Sequence, residues 1–212
     1  MSDRQIQNPK SRIQHSDSAI PSSALFIDRD GTINQDSGYI STPNELKIYP
    51  FVAEALRLIN KAGLKAIVVT NQSGVARGLY SESELGAIHD RMIGELQHEG
   101  ARIDAIYYCP HHPDYGGKRY RQTCGCRKPQ PGMLHEAARA HNVDLARSWV
   151  IGDKASDMKL AANAGARGAL VLTGYGSETL AHREQWPCEP DLVADNLLDA
   201  VRMILDVGEP QR

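Results

Sequence analysis

The sequence predicts an α/β fold: a three-layer, Rossmann-like, mostly parallel sheet with helices on both faces. Three observations predict it. Residues 64–70 (LKAIVVT) form a nearly all-apolar run rich in β-branched residues, which marks a strand covered on both faces. From Ala24 onward, strand-length apolar segments alternate with segments of helical periodicity, as in successive βαβ units. The polar residues best suited to chemistry fall just after the strand segments, at the rim where sheets of this kind bind ligands.

Residues 24–28 read as the first strand. A helix over 50–61 follows, with Pro50 in its first turn, Val52, Ala55, Leu56 and Ile59 on one apolar face, and Gly63 closing it. The second strand is 64–70. The helix over 81–98 opens with Ser81 as N-cap and Glu84 three residues on, a capping box. A third strand at 104–108, a helix at 131–141 opened by Pro131, a fourth strand at 148–152, a helix at 155–164 ended by Gly165 and a fifth strand at 168–172 complete the alternation. A short sixth strand at 191–194 precedes a last helix over 196–205. The expected strand order is 3-2-1-4-5. There is no internal repeat and no boundary that would divide the alternating region. Residues 1–21 are polar and patternless and read as a flexible N-terminal extension, with 22–212 as the folded domain. The long connections 31–49 and 109–130 stand out, because loops of that size in compact domains are usually functional.

Composition narrows the classes. The 212 residues suffice for a sizeable core. With 24 basic against 26 acidic residues, the net charge of −2 opposes a nucleic-acid-binding surface. No apolar run is long enough to span a bilayer, and the N-terminus lacks the apolar core of a secretory signal. A cytoplasmic protein is expected. No long apolar surface stripe calls for a partner, so a monomer is expected.

The chemistry starts at Asp28-Arg29-Asp30-Gly31-Thr32. Two carboxylates one residue apart, past a strand end, can hold a divalent metal, and one of them can attack phosphorus. The second strand ends in Thr70-Asn71-Gln72-Ser73-Gly74, the fourth in Asp153-Lys154 with Asp157 following, and Arg127-Lys128 precedes Pro129. In a parallel sheet these converge on one rim. Mg²⁺ wants hard oxygens, and Asp28, Asp153 and the Asp30 carbonyl can supply them. Lys128, the Thr70 hydroxyl and the amides around Asn71 suit the oxygens of a phosphoryl group. Asp28 is then the candidate nucleophile and Asp30 the candidate proton carrier, although a free aspartate titrates near 3.9, so that role needs a local shift or a transient proton. Asp157 reads as a supporting residue. Lys154 could instead pair with Asp28 or Asp153.

A second cluster lies in one loop, 109–126. Cys109, Cys124 and Cys126 with an adjacent histidine, His111 or His112, make a Cys₃His set of the kind that binds Zn²⁺. The segment between them has no apolar pattern, so metal binding could supply its folding energy. No spare acidic ligand is at hand for chemistry, and the zinc reads as structural. Cys188 stands apart.

These motifs, in this order, resemble the haloacid-dehalogenase-like phosphohydrolases over residues 23–205. DxDGT matches Asp28–Thr32, the strand-end threonine Thr70, the lysine Lys128 and the GDxxxD form residues 152–157. The stretches FIDRDGTINQDSGYI, VVTNQSGVARG, YYCPHHPD, CGCRKPQPGM and VIGDKASDM are similar to one branch, the heptose bisphosphate phosphatases with the related histidinol-phosphatase domains. The resemblance implies no large cap domain, a zinc-bound loop, His111 as its imidazole ligand, and a small sugar bisphosphate as substrate. It implies substrate contact by Asp36, Ser37, Gly38 and Tyr39, with Asn71, Gln72 and Ser73 lining the cleft floor. Arg127 would meet the far part of the substrate or its second phosphate, and Lys154 joins the substrate-binding set. Arg77 reads equally as a cleft residue and as a surface residue.

Overall fold

The computed structural model describes residues 21–186 and 188–208, so the expected N-terminal extension lies outside it except for Pro21. Along the described residues run β1 (Ala24–Ile27), α1 (Val52–Lys61), β2 (Lys65–Asn71), α2 (Glu82–His98), β3 (Ala105–Cys109), α3 (Gly132–His141), β4 (Trp149–Gly152), α4 (Ala155–Ala164), β5 (Arg167–Val171), α5 (Gly176–Ala181), β6 (Leu192–Ala194) and α6 (Leu197–Gly208). Every strand pair is parallel, and the order is β3-β2-β1-β4-β5-β6. The expected order is found, with the short sixth strand added at the β5 edge.

Side-chain alternation explains why the central strands are apolar throughout. Leu25 and Ile27 of β1, Ala66 and Val68 of β2, and Trp149 and Ile151 of β4 join one core with α1, α2 and α6. The intervening Phe26, Ile67, Val69 and Val150 join the other core with Met133, Leu134 and Ala137 of α3 and Leu160 and Ala161 of α4. The predicted face of α1 is the buried one: Val52, Ala55, Leu56 and Ile59 are each fully enclosed. Burial of each large aliphatic chain there contributes about 1.5–3 kcal/mol.

Helix ends follow the local signals closely. Ser81 Oγ accepts from the Glu84 amide at 3.2 Å, and Glu84 returns the contact to the Ser81 amide at 2.6 Å. Gly165 closes α4 in the left-handed region at φ 70°. The two prolines expected to open helices sit just before them: Pro131 is the N-cap of α3, and α1 begins after Phe51. The sequence reading omitted α5, which is short and glycine-led.

The register aligns the strand ends. Ile27 pairs with Val68 on one side and with Ile151 on the other. Asp28, Thr70 and Asp153 therefore leave the sheet at one rim, within two residues of those partners. The 31–49 connection is not structureless. Asn34 bridges Ile48, and a 3₁₀ turn spans Pro43–Glu45. No described helix is long and apolar enough to cross a membrane.

Candidate active site

Asp28 is 4% exposed and Asp153 and Asp157 are fully buried. One carboxylate oxygen from each lies within 4.8 Å of the others, an arrangement that can hold a metal ion. Lys128 is threaded into the same place. Its Nζ lies 2.7 Å from Asp28 Oδ1 and 2.7 Å from Asp157 Oδ1, and donates to the Val69 carbonyl at 3.2 Å. Burial alone would discharge this ammonium, yet Asp157 and Asp28 together hold its pKa above the usual lysine value.

The carboxylates carry more negative charge than one lysine balances. Burial pushes Asp28 up to about 6, with Lys128 pulling down and Asp157 pushing up. Burial and then the Asp28 charge push Asp153 up to about 7. Asp153 Oδ2 accepts from the Tyr175 amide at 2.8 Å, whereas its Oδ1 is buried without a hydrogen-bond partner. A divalent cation fits this donor set: hard oxygens, excess negative charge, and an acceptor left unsatisfied.

Backbone shape makes the cluster possible. Gly31 has φ 88°, and a Cβ there would stand 2.1 Å from Asp153 Oδ2. Gly174, at φ 56°, would place a Cβ 2.3 Å from the same oxygen. The turn after β1 and the turn after β5 thus close on Asp153 only because both residues lack side chains. Thr173 Oγ1 donates to the Gly31 carbonyl at 2.6 Å, and Thr179 Oγ1 to the Asp153 carbonyl at 2.9 Å.

Asp30 has a different environment. Arg29 grips it through Nε at 3.0 Å and through Nη2 at 2.7 and 2.8 Å. Asn34 Nδ2 donates at 3.0 Å and Gln72 Nε2 at 2.8 Å. Burial would raise its pKa, but Arg29, Asn34 and Gln72 outweigh it and hold the carboxyl below the ordinary aspartate value. The shift that a resting proton carrier would require is absent, which leaves a transient proton as the route for that role.

Among the residues expected on the cleft floor, two are already engaged by the protein. Asn71 clamps the Lys128 backbone, accepting from its amide at 3.0 Å and donating to its carbonyl at 3.2 Å. Gln72 is 2% exposed, donates to Asp30 and to Thr70 Oγ1 (2.8 Å each), and accepts from Tyr80 at 2.6 Å. Ser73 is half-buried. Asp36 Oδ2 pairs with Lys154 Nζ at 2.9 Å, joining the 31–49 loop to the turn after β4. Ser37, Gly38 and Tyr39 are exposed beside it, with Gly38 at φ 93°. Lys154 has its pKa raised: burial opposes its charge, but Asp153, Asp28 and Asp36 favour it.

The loop cluster forms as expected. Sγ atoms of Cys109, Cys124 and Cys126 lie 3.2–3.5 Å apart, and His111 Nδ1 lies 3.3 Å from Cys126 Sγ and 3.7 Å from Cys109 Sγ. A tetrahedral zinc with arms of about 2.3 Å would give S···S edges near ~3.8 Å, so the four atoms fit such an ion after a small expansion. Of the two histidines, His111 is the one that lies with the thiols. His112 turns the other way, to Arg77 Nη2 at 3.4 Å and the Tyr115 ring at 4.7 Å. Arg77 lies over that tyrosine with its Cζ 3.7 Å from the ring centroid, and 5.8 Å from the ring of Tyr39. Arg127 Nη1 donates to the His111 carbonyl at 3.1 Å, directly tying the residue before Lys128 to the loop. Glu82 of α2 anchors the loop's outer part through Arg119 at 2.6 Å and Tyr120 at 2.7 Å.

With this geometry in view, the comparisons with known proteins are decisive. The chain is 40% identical over 181 residues to the D-glycero-beta-D-manno-heptose-1,7-bisphosphate 7-phosphatase of Photorhabdus laumondii, covering 85% of this chain and 94% of that protein. It belongs to the family of heptose-1,7-bisphosphate 7-phosphatases. A second member, the D-glycero-D-manno-heptose-1,7-bisphosphate 7-phosphatase of Thermosynechococcus vestitus, is 43% identical over 189 residues, with 87% of this chain and 96% of that one covered. Residues 125–200 match the HAD-hydrolase-like family profile. The crystal structure of D,D-heptose 1,7-bisphosphate phosphatase from B. bronchiseptica, complexed with magnesium and phosphate, superposes with a TM-score of 0.79 at 39% identity, covering 87% of this chain and 99% of that one. This chain is a phosphoric monoester hydrolase of that family.

Several residues around the family's motifs escaped the sequence reading. Arginine is normally exposed, yet Arg29 is 1% exposed, a burial that its sequence position does not signal. His89, Asn34, Tyr80 and the 173–176 turn were missed as well. The Thr173-Gly174-Tyr175-Gly176 run was the one visible signal, two glycines just after a strand.

Proposed function

We propose that the protein is a Mg²⁺-dependent phosphatase that removes the C7 phosphate of D-glycero-D-manno-heptose 1,7-bisphosphate, leaving heptose 1-phosphate. The observation that carries this reading is the meeting of Asp28, Asp153 and Lys128 at one rim, in a chain 40% or more identical to two named phosphatases of that substrate. Asp28 attacks phosphorus in line. Its O–P bond forms as the bond to the C7 oxygen breaks, giving an aspartyl-phosphate. Lys128 and the Thr70 hydroxyl hold the phosphoryl oxygens, and Asn71 holds the Lys128 backbone in register.

Asp30 hands a proton to the departing C7 oxygen and takes one from the water that next attacks phosphorus, releasing inorganic phosphate and restoring Asp28. Asp30 is ionised in the free site, so that first proton arrives with the substrate. Asp28, Asp153 and the Asp30 carbonyl would hold Mg²⁺, which when bound neutralises charge on the phosphoryl group. Cys109, His111, Cys124 and Cys126 would hold a structural Zn²⁺, and through Arg127 the loop sets the position of the second phosphate. The exposed Asp36–Tyr39 segment and Lys154 close the other side of the mouth.

A substrate panel tests the assignment. Turnover of heptose 1,7-bisphosphate, as α and β anomers, is expected to exceed that of histidinol phosphate by at least tenfold in kcat/KM. Equal or faster histidinol phosphate turnover would transfer the protein to the related histidinol-phosphate activity.

A further inference from the structure

Between the two aspartates of the motif stands the largest fully buried side chain of the described residues, Arg29. A buried guanidinium is tolerated only when its charge and its donors are matched. Asp30 matches the charge through Nε and Nη2. The remaining arm, Nη1, lies 3.3 Å from Nε2 of His89, a fully buried residue of α2.

Arginine nitrogens are donors only, so Nε2 is the acceptor and the His89 proton sits on Nδ1, a tautomer assigned from this network. Burial, followed by the Arg29 charge, pushes His89 down to about 3, which keeps it neutral and able to accept. Its Nδ1 is buried without a partner. The helix neighbours Leu85, Ile88 and Met92 are all enclosed and apolar. An aliphatic side chain at 89 would fill the space without a buried, unpartnered Nδ1, and would lose only the contact to Arg29 Nη1. Packing therefore does not account for a histidine there, whereas the contact to Arg29 does.

On the far side of Asp30, Gln72 is oriented by Tyr80, which donates to its Oε1 and so turns its Nε2 toward the carboxylate. The carboxylate is thus fixed in plane and direction from both sides. We propose that Arg29 and His89 are positioning residues for Asp30: His89 holds the guanidinium, and the guanidinium holds the carboxylate where the leaving oxygen will stand. This rests on the reading of Asp30 as the proton carrier.

The test exploits leaving-group acidity. An alkyl oxygen needs its proton in the transition state, whereas p-nitrophenolate scarcely does. His89→Leu removes the acceptor, and His89→Gln restores one at a similar reach. For the magnesium-loaded enzyme, His89→Leu is expected to lower kcat about tenfold on heptose 1,7-bisphosphate and less than threefold on p-nitrophenyl phosphate, with KM changed less than twofold. His89→Gln is expected to recover kcat to within threefold of the parent. If His89→Leu does not fold, Arg29→Lys, which keeps the charge but loses the fork, carries the same comparison. Equal losses on both substrates, no loss, or a Gln variant no better than Leu would overturn the proposal. Asp30→Asn, measured alongside, separates the two ideas. If it too shows no leaving-group dependence, the proton-carrier reading fails; if it alone shows the dependence, only the positioning pair fails.

Discussion

The protein contains two clusters that could hold a metal ion, and they are made in opposite ways. Asp28, Asp153 and Asp157 are all buried, come from strand ends and the start of α4, and are fixed by the sheet itself. Cys109 and His111 are buried while Cys124 and Cys126 are half-buried, and only Cys109 belongs to a strand. The first cluster is crowded with like charge and keeps an unsatisfied oxygen. The second offers four soft donors with no position to spare. A scaffold that holds carboxylates at unfavourable distances keeps them ready for a cation and a substrate. A loop without an apolar core of its own would gain most from an ion held by these donors. The sheet makes the first site whether or not metal is present, and on the proposed reading a structural zinc would hold the second together.

Three experiments break or sharpen this contrast. The largest effect is expected from Asp28→Asn. It should lower kcat by 10³-fold or more, while zinc content and thermal stability stay at parental levels, because the loop cluster does not depend on it. Retained turnover would remove Asp28 from the role of nucleophile. Next comes Cys124→Ala, which should abolish zinc binding measured by metal analysis, expose the 109–126 loop to protease, and lower activity roughly 10–100-fold through loss of the Arg127 and Lys128 geometry. Unchanged zinc and activity would mean that the loop stands without its metal. The smallest effect compares two glycines. Gly31→Ala places a Cβ against Asp153 at positive φ, and should cost about 2–4 kcal/mol in chemical denaturation. Gly117→Ala, in the loop with nothing within 4 Å, should stay within about 0.5 kcal/mol. Similar costs at both sites would show that the carboxylate rim is no more rigid than the loop.

The contrast also explains what could be read in advance. The loop cluster is local: candidate ligands at 109, 111, 124 and 126 are visible as spacing, with His111 preferred over His112 on the family resemblance, and in the structure His112 faces Arg77 and Tyr115. The rim cluster is assembled from distant segments. Its members were legible because each ends a strand, but their pairings were not. That Lys128 is held between Asp28 and Asp157 depends on contacts spanning the whole sheet. Asn71 and Gln72, which read as cleft-floor residues, direct their amides to Lys128 and to Asp30. A polar side chain near a rim can face either substrate or protein, and sequence spacing does not say which.

The sequence by itself determined the alternation of strands and helices, their caps, the order of the sheet and the residue types at its rim. These follow from local periodicity, turn chemistry and the handedness of βαβ units, all of which act over a few tens of residues. Only the tertiary structure decided that Arg29 is buried and bound to Asp30 and His89, that the 173–176 turn closes on Asp153, and that Asp157 rather than solvent faces Lys128. Those outcomes depend on which side chains meet once register and packing are set, and a buried charge takes its partner from whatever the fold brings within about 3 Å.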